Sequence, residues 1–133
     1  MKKIHLKIMT PNGIFFEGDV ELVTVKTSVG YIGLQHGKSP FVASLDHASI
    51  EIKHEKHKKI SAISGGIVYA NPESINIITD AIENKEKIDL ARAKLAKKEA
   101  EARLKQKLDK AEMLIAQQAL QRAVNRINVG KEK

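Results

Sequence analysis

The sequence predicts an α+β protein in which an N-terminal antiparallel β-sandwich is followed by a C-terminal antiparallel α-helical hairpin. Seven of the eight glycines and all three prolines lie at or before Pro72, so turns are concentrated in the first part of the chain. The spacing of apolar residues changes from two in the first part to about 3.6 in the second. We therefore expect a β-sandwich domain over residues 1–85 and a helical hairpin domain over residues 86–133.

Length, composition and charge narrow the class of protein. With 133 residues, 42% of them apolar, the chain is long enough for one domain with a core plus a smaller appendage. The absence of cysteine excludes disulfides, a thiol nucleophile and cysteine-ligated metal sites. No segment approaches the roughly 18 consecutive apolar residues of a membrane span, and the first residues alternate lysine with aliphatic side chains. We therefore expect a soluble, intracellular protein.

Apolar and polar residues alternate in three segments of the first part. The alternating apolar residues are Ile4, Leu6 and Ile8, then Ile50 and Ile52, then Ile75 and Ile77. A period of two places them on one face of a strand, as in a sheet that is buried on one side. Turn-forming residues interrupt these segments at 11–13, 30–37, 54–58 and 71–72. Many short strands with frequent turns are typical of a sandwich or barrel.

The first helix is predicted to begin at Asp89. A narrow stripe at helical spacing contains Asp89, Ala93, Ala96, Ala100 and Leu104, and most of it is alanine. Small side chains allow another surface to approach this stripe closely.

The second helix is predicted to begin at Asp109, whose carboxylate caps free amide groups while Glu112 completes a capping box. One face of this helix contains Met113, Gln117, Leu120, Val124 and Ile127, and the roughly opposite face contains Ile115, Ala119, Arg122 and Arg126. Because only a few residues separate the helices, they should form an antiparallel hairpin. Helices of about twenty residues are marginally stable alone in water, so the hairpin must dock on another surface.

Several short motifs follow one another along almost the whole chain. They are Pro11-Asn12-Gly13 leading into Phe16-Glu17-Gly18, Gly30-Tyr31-Ile32-Gly33, Ser64-Gly65-Gly66 and Ile88-Asp89-Leu90-Ala91-Arg92-Ala93. In order and spacing, they make the chain similar to the epsilon subunit of bacterial F-type ATP synthases.

The resemblance implies a non-catalytic subunit of the central stalk. Such a subunit binds the gamma subunit, rests on the membrane ring of c subunits and couples proton flow to ATP synthesis. Its C-terminal helices restrain ATP hydrolysis beside the alpha and beta subunits. The implied location is peripheral, on the cytoplasmic side of the cell membrane, and no cofactor is required. One motif departs from the family, because His36-Gly37-Lys38-Ser39-Pro40 has a lysine where many relatives have histidine.

The spacing of charged residues predicts a nucleotide site on the hairpin. Asp89 and Arg92 are three residues apart, Arg122 and Arg126 are four apart, and a closed hairpin would bring both pairs together. Three guanidinium groups beside one carboxylate suit a polyphosphate and a base edge. The resemblance adds that some relatives bind ATP, as a regulatory ligand, through an Ile-Asp-x-x-Arg-Ala element with an upstream glutamate. The residues predicted to bind ATP are Glu83, Ile88, Asp89, Arg92, Ala93, Arg122 and Arg126.

One substitution should weaken this site, since position 99 is basic in some nucleotide-binding relatives and is Glu99 here. If ATP binds only the closed hairpin, abundant ATP would relieve the restraint on hydrolysis and scarcity would restore it.

The residues alone leave other functions open. In the structural alternative, Asp89 only caps the first helix and the arginines are solvated or paired with carboxylates. The basic helices permit a nucleic-acid-binding module, although all aromatic residues precede Ala70 and leave the helices without stacking platforms. The arginines also permit a free-standing nucleotide sensor.

Catalytic and metal sites are not expected. His54 and His57 have a metal-like spacing, but the neighbouring lysines would oppose a bound cation. No nucleophile elbow accompanies a Ser/His/Asp set, and Gly65-Gly66 lacks the Lys-Ser/Thr of a phosphate-binding loop.

Overall fold

The computed structural model describes residues 2–131, which divide into two compact units between Asn84 and Lys85. Over these residues, the first unit contains eight strands: β1 (Ile4–Thr10), β2 (Gly13–Val20), β3 (Leu22–Thr27), β4 (Gly30–Leu34), β5 (Phe41–His54), β6 (His57–Ala70), β7 (Ser74–Ile78) and β8 (Ile82–Asn84). The second contains a 3₁₀ turn (Lys85–Lys87), α1 (Leu90–Leu104) and α2 (Lys110–Lys131). Strands followed by two helices confirm the predicted α+β class.

The two longest strands supply both layers of the sandwich. The hydrogen-bonded order is β2-β1-β7-β6-β5-β3-β4, with β8 also on β6, and the β1–β7 pair is parallel. β5 and β6 have 14 residues each. The C-terminal part of β6 pairs with β7 and its N-terminal part with β8. One continuous β-hairpin therefore passes from one layer to the other.

Two glycines mark the place where β6 changes layer. Gly65 has φ +71°, and its carbonyl accepts a hydrogen bond from the Thr79 hydroxyl at 2.7 Å. Gly66 has φ +130°, and a Cβ there would overlap the carbonyl oxygen of Ile78. A side chain at Gly66 would therefore break the close approach of β6 and β7.

The core of the sandwich is built from the residues that alternate in the sequence. All seven of these residues are at most 3% exposed, which confirms the period-two prediction. The rest of the core cluster consists of Val20, Val23, Val25, Leu34, Leu45, Ile63 and Val68. Branched aliphatic side chains dominate this list, as expected for strands that pack face to face.

The helical unit is an antiparallel hairpin. Near the turn, Arg103 Nη2 of α1 lies 3.4 Å from Glu112 Oε2 of α2. At the other end, the last turn of α2 packs beside the first residue of α1, since a Cβ on Gly130 would lie 2.7 Å from Leu90 Cδ2. Over residues 2–131, no helix combines the length and the hydrophobicity needed to cross a bilayer.

The predicted cap at Asp109 is present, and so is the cap at Asp89 that the structural alternative requires. The Asp89 carboxylate accepts a hydrogen bond from the Arg92 N–H at 3.1 Å, and that of Asp109 accepts one from the Glu112 N–H at 2.8 Å. Each bond satisfies an amide group that has no partner within its helix. The cap also lowers the pKa of Asp109, because these hydrogen bonds favour the ionised carboxylate.

The buried stripe of α2 agrees only in part with the predicted faces, because Ile127 is buried, whereas the other four residues of its predicted face are partly buried or exposed. Its small buried residues, Ala116 and Ala123, lie between the face of Met113 and the face of Ile115. They match Ala93 and Ala100, which are buried on α1 as predicted. Alanine contributes little to a hydrophobic pattern in the sequence, but its small side chain is favoured where two helices approach closely. The hairpin is therefore joined by an alanine seam, which we define as these four residues.

Candidate functional site

A groove of about 350 Å³ lies beside the alanine seam, between α1 and α2. Its apolar part is formed by Ala96, Ala100, Ile115, Ala116, Ala119 and Ala123, and its charged part by Glu99, Arg103, Arg122 and Arg126. Three guanidinium groups and one carboxylate thus surround a concave surface with an apolar floor. Such a surface can bind an anion through planar, multiple donors and can pack against a flat apolar group.

The helices fix the positions of these charged groups. Arg122 and Arg126 are four residues apart on α2 and so project from the same side of it. Arg103 comes from the last turn of α1, and its contact with Glu112 directs its guanidinium towards α2. Arg122 is exposed and Arg126 is partly buried. A bound anion would therefore meet one well-hydrated guanidinium and one that is partly shielded from water.

The segment that carries Asp89 lies at the end of the hairpin where the C-terminal part of α2, which contains Arg126, returns beside the start of α1. Ile88 and Leu90, on either side of Asp89, pack against Gly130. Gly130 follows Arg126 by four residues, which is about 6 Å along α2, or slightly more than one helical turn. The Asp89 carboxylate accepts the capping bond from the Arg92 N–H through Oδ1, as the structural alternative requires. The cap thus accounts for one of its two oxygens.

The structure places the predicted ATP-binding residues in three locations. Arg122 and Arg126 line the groove, and Ala93 lies in the alanine seam. Ile88, Asp89 and Arg92 form the entry to α1, outside the groove lining of the described residues. Glu83 belongs to β8 of the other unit, where it pairs with Ala62 of β6.

Arg103 lines the groove but is not among the residues predicted from the sequence. Arg103 follows Ala96 and Ala100 by seven and three residues, so it lies on the same face of α1 as the residues of the predicted stripe. The helical period therefore contained the necessary information. Its contact with Glu112 across the hairpin, in contrast, depends on how the two helices align.

The sandwich presents a separate surface of exposed apolar side chains. We call it the apolar face, and it consists of Ile14, Val42, Ile67, Tyr69 and Ile78, which are 41–66% exposed. Val42 pairs with Tyr69, Ile67 pairs with Ile78, and residues directly opposite in a sheet share a face. Because contiguous apolar surface is uncommon on monomers, this face is typical of a protein-binding surface.

The loop that departs from the family motif has a defined conformation. The exposed Lys38 ammonium donates a hydrogen bond to the Gly33 carbonyl at 2.6 Å. This contact folds the side chain back along its own loop and leaves a positive charge at the loop surface.

The metal alternative gains no support from the hairpin of β5 and β6. His54 and His57 face each other as the last pair before its turn. In the part of the chain that the structure describes, no group of three or more His, Asp or Glu side chains is arranged to hold a metal ion.

Comparison with known proteins assigns both units. Residues 3–85 match the model of the beta-sandwich domain of the ATP synthase delta/epsilon chain, and residues 86–131 match that of its long alpha-helix domain. The ATP synthase epsilon chain of Ruminococcus albus is 40% identical over 134 residues, with 100% of both chains covered. That of Mycoplasma mobile is 46% identical, with 96% of this chain and 92% of the relative covered.

Solved structures show the same fold. A chain of the Euglena gracilis mitochondrial ATP synthase, from a structure of OSCP, F1 and the c-ring, superposes with a TM-score of 0.80 at 25% identity. The match covers 92% of this chain and 78% of that one. A chain from the central stalk and c-ring of the Tetrahymena thermophila mitochondrial ATP synthase superposes with a TM-score of 0.72 at 16% identity, covering 98% of each chain. The chain therefore belongs to the ATP synthase delta/epsilon family, as a non-catalytic subunit of the stalk.

Proposed function

We propose that this protein is a central-stalk subunit that couples proton translocation to ATP synthesis and regulates ATP hydrolysis through its helical hairpin. The observation that carries the proposal is the pair of consecutive family matches, which together span residues 3–131. The curated relatives are named ATP synthase epsilon chain, and the structural relatives come from F1, central-stalk and c-ring assemblies. In this role the protein lies peripherally on the cytoplasmic side of the cell membrane.

The apolar face is the proposed contact for the gamma subunit. Its side chains lie on the adjacent strands β5, β6 and β7 and on β2, which β1 separates from β7. A partner that removes them from water stabilises the complex. The loop of Lys38 is the proposed contact for the c-subunit ring. The basic helices, with 13 basic and 7 acidic residues over 86–133, face the alpha and beta subunits in this arrangement.

Co-purification tests the proposed assembly. The tagged protein should retain the gamma, alpha and beta subunits, whereas retention of DNA at physiological salt would favour the nucleic-acid alternative. Ile67→Asp, which puts a charge in the apolar face, should release the gamma subunit. Val29→Asp is the matched control, since Val29 is 86% exposed in the turn between β3 and β4 and should leave binding intact. Equal retention by both variants would contradict the assignment of the apolar face.

The groove of the hairpin is the proposed site for ATP as a regulatory ligand. Arg103, Arg122 and Arg126 supply donors for the phosphates, and the alanine floor can accommodate a flat base. A ligand that bridges α1 and α2 binds the closed hairpin better than the open one and so shifts the balance between them.

Calorimetric titration of the full chain tests ATP binding. A saturable signal at or below millimolar ATP is expected, and it should fall at least about tenfold in affinity with Arg126→Ala, which removes a charge-assisted hydrogen bond. Lys98→Ala is the control, because Lys98 is exposed on α1 and lies outside the groove. The absence of a saturable signal at millimolar ATP would remove the proposal.

A further inference from the structure

Gly130 is an unexpected residue in the last turn of α2. No other glycine occurs after Gly66, so the rest of the helical unit avoids this residue. Glycine disfavours a helix about fivefold relative to alanine at an interior position. Gly130 is the penultimate residue of α2 as the structure describes it, close to the end of a helix, where glycine is common. Its contacts give a further reason for a residue without a side chain.

That reason is a close approach between the two ends of the hairpin. A Cβ at position 130 would lie 2.7 Å from Leu90 Cδ2, 3.2 Å from Ile88 Cγ2 and 3.3 Å from Leu90 Cγ. All these atoms belong to the segment that leads into α1. Gly130 is itself partly buried, and its neighbour Val129 is 1% exposed. A side chain at position 130 would therefore require the Leu90 side chain to move and would also crowd Ile88.

We propose that this contact of Gly130 with Ile88 and Leu90 is a latch that holds the free ends of the hairpin together. The latch continues the alanine seam towards the free ends, since Gly130 follows Ala116 and Ala123 at the same seven-residue spacing and therefore lies on the same face of α2. Ile127 and Val129 are also buried near this end. A side chain at position 130 separates the end of α2 from the start of α1 and shifts the hairpin towards an open state. The two residues that seat Gly130 flank Asp89, so closure also fixes Asp89 relative to α2. The inference goes beyond ATP binding, since it rests on hairpin packing alone.

A label-distance measurement on the full chain tests the latch. The protein has no cysteine, so Ala91→Cys and Asn128→Cys place two spin labels at exposed positions near the free ends of α1 and α2. The wild-type background should give one short distance. Gly130→Leu should raise the ratio of open to closed hairpin about tenfold, because overpacking at a tight contact displaces its neighbours. Gly130→Ala should give a smaller shift in the same direction, since the end of the Leu90 side chain can move.

Two further measurements separate a latch from a general weakening of the helix. If the latch exists, Gly130→Ala should increase the helical circular dichroism signal and also lengthen the label distance. If Gly130 merely weakens the helix, alanine should increase the helical signal and shorten the label distance. Leu90→Ala should shorten the distance again in the Gly130→Ala background, because it removes the nearest colliding atom, Leu90 Cδ2.

The outcomes are distinct. Unchanged or shorter distances in both Gly130 variants would overturn the inference, as would a failure of Leu90→Ala to restore closure. ATP titration of the wild-type chain is a separate measurement. A negative titration would refute the nucleotide site, whereas the label distances alone decide whether the latch exists.

Discussion

Replacement of Glu99 with glutamine tests whether the arginines of the groove form a polyphosphate site. Glu99 lines the groove together with Arg103, Arg122 and Arg126, so it is the one negative group beside three positive groups in the described lining. Glutamine has nearly the same size and helix propensity, and α1 should remain intact. The substitution therefore changes the charge that a bound phosphate meets and little else.

The expected change in ATP affinity on Glu99→Gln follows from the exposure of the Glu99 side chain. Glu99 is exposed, so its repulsion of a bound anion is screened by water, and exposed charge pairs contribute roughly 0.2–1 kcal/mol. ATP carries several negative charges, which places the effect at the upper end of that range. Glu99→Gln should accordingly bind ATP about fivefold more tightly.

Calorimetry at two salt concentrations measures this effect. The gain in affinity should be largest at low ionic strength and should shrink as added salt screens the groove. Glu101→Gln is the control, because it removes the same charge from α1 at an exposed position outside the groove lining. Equal affinity of Glu99→Gln and Glu101→Gln, or weaker binding by Glu99→Gln, would refute the reasoning.

Three further predictions concern the elements that position the site. Asp109→Ala should lower the thermal midpoint of the hairpin, whereas Asp109→Asn, which keeps a capping acceptor, should lower it less. The stabilisation that comes from the lowered pKa of Asp109 is present above the unfolded pKa near 3.8 and is lost as pH falls through the folded pKa. Gly66→Ala should reduce the free energy of unfolding, measured in urea, by at least about 2 kcal/mol. Gly37→Ala should cost less, because φ is also positive there but a Cβ meets nothing within 4 Å. Equal losses would contradict the close approach at Gly66. A nuclear magnetic resonance titration should give His5 a pKa above 6.5, because hydrogen bonds with the carboxylates of Glu17 and then Asp19 favour the imidazolium. The stabilisation of the fold by these bonds is present below the unfolded pKa of His5 and is lost as pH rises through the folded pKa. Glu17→Gln should bring the pKa back towards 6.5.

The strands and caps were predictable because their signals are local. Alternation at Ile4, Leu6 and Ile8 specifies which face of β1 is buried, independently of any partner strand. A carboxylate followed by a helical pattern likewise predicted the cap at Asp109 and allowed one at Asp89, and both capping hydrogen bonds are present.

Other features depend on contacts between distant segments and were not predictable. The passage of β5 and β6 between the two layers requires knowledge of their partner strands, which the sequence pattern does not specify. On α2 the pattern favoured large apolar residues, of which Ile127 is buried, but it missed Ala116 and Ala123, since closely packed helices place small residues at their interface. The lining of the groove depends on how α1 aligns with α2. This alignment places Arg103 in the same groove as Arg122 and Arg126, whereas Asp89 stays at the entry to α1.

Hydrolysis assays on the reconstituted ATP synthase test the regulatory account most directly. The rate would be compared at micromolar and millimolar ATP for complexes that contain the wild-type chain or the double variant Arg122→Ala and Arg126→Ala. The wild-type complex should be restrained at low ATP and released at high ATP beyond the effect of substrate saturation, and the double variant should lose this release. The same release in both complexes would show that the groove of the hairpin does not sense ATP.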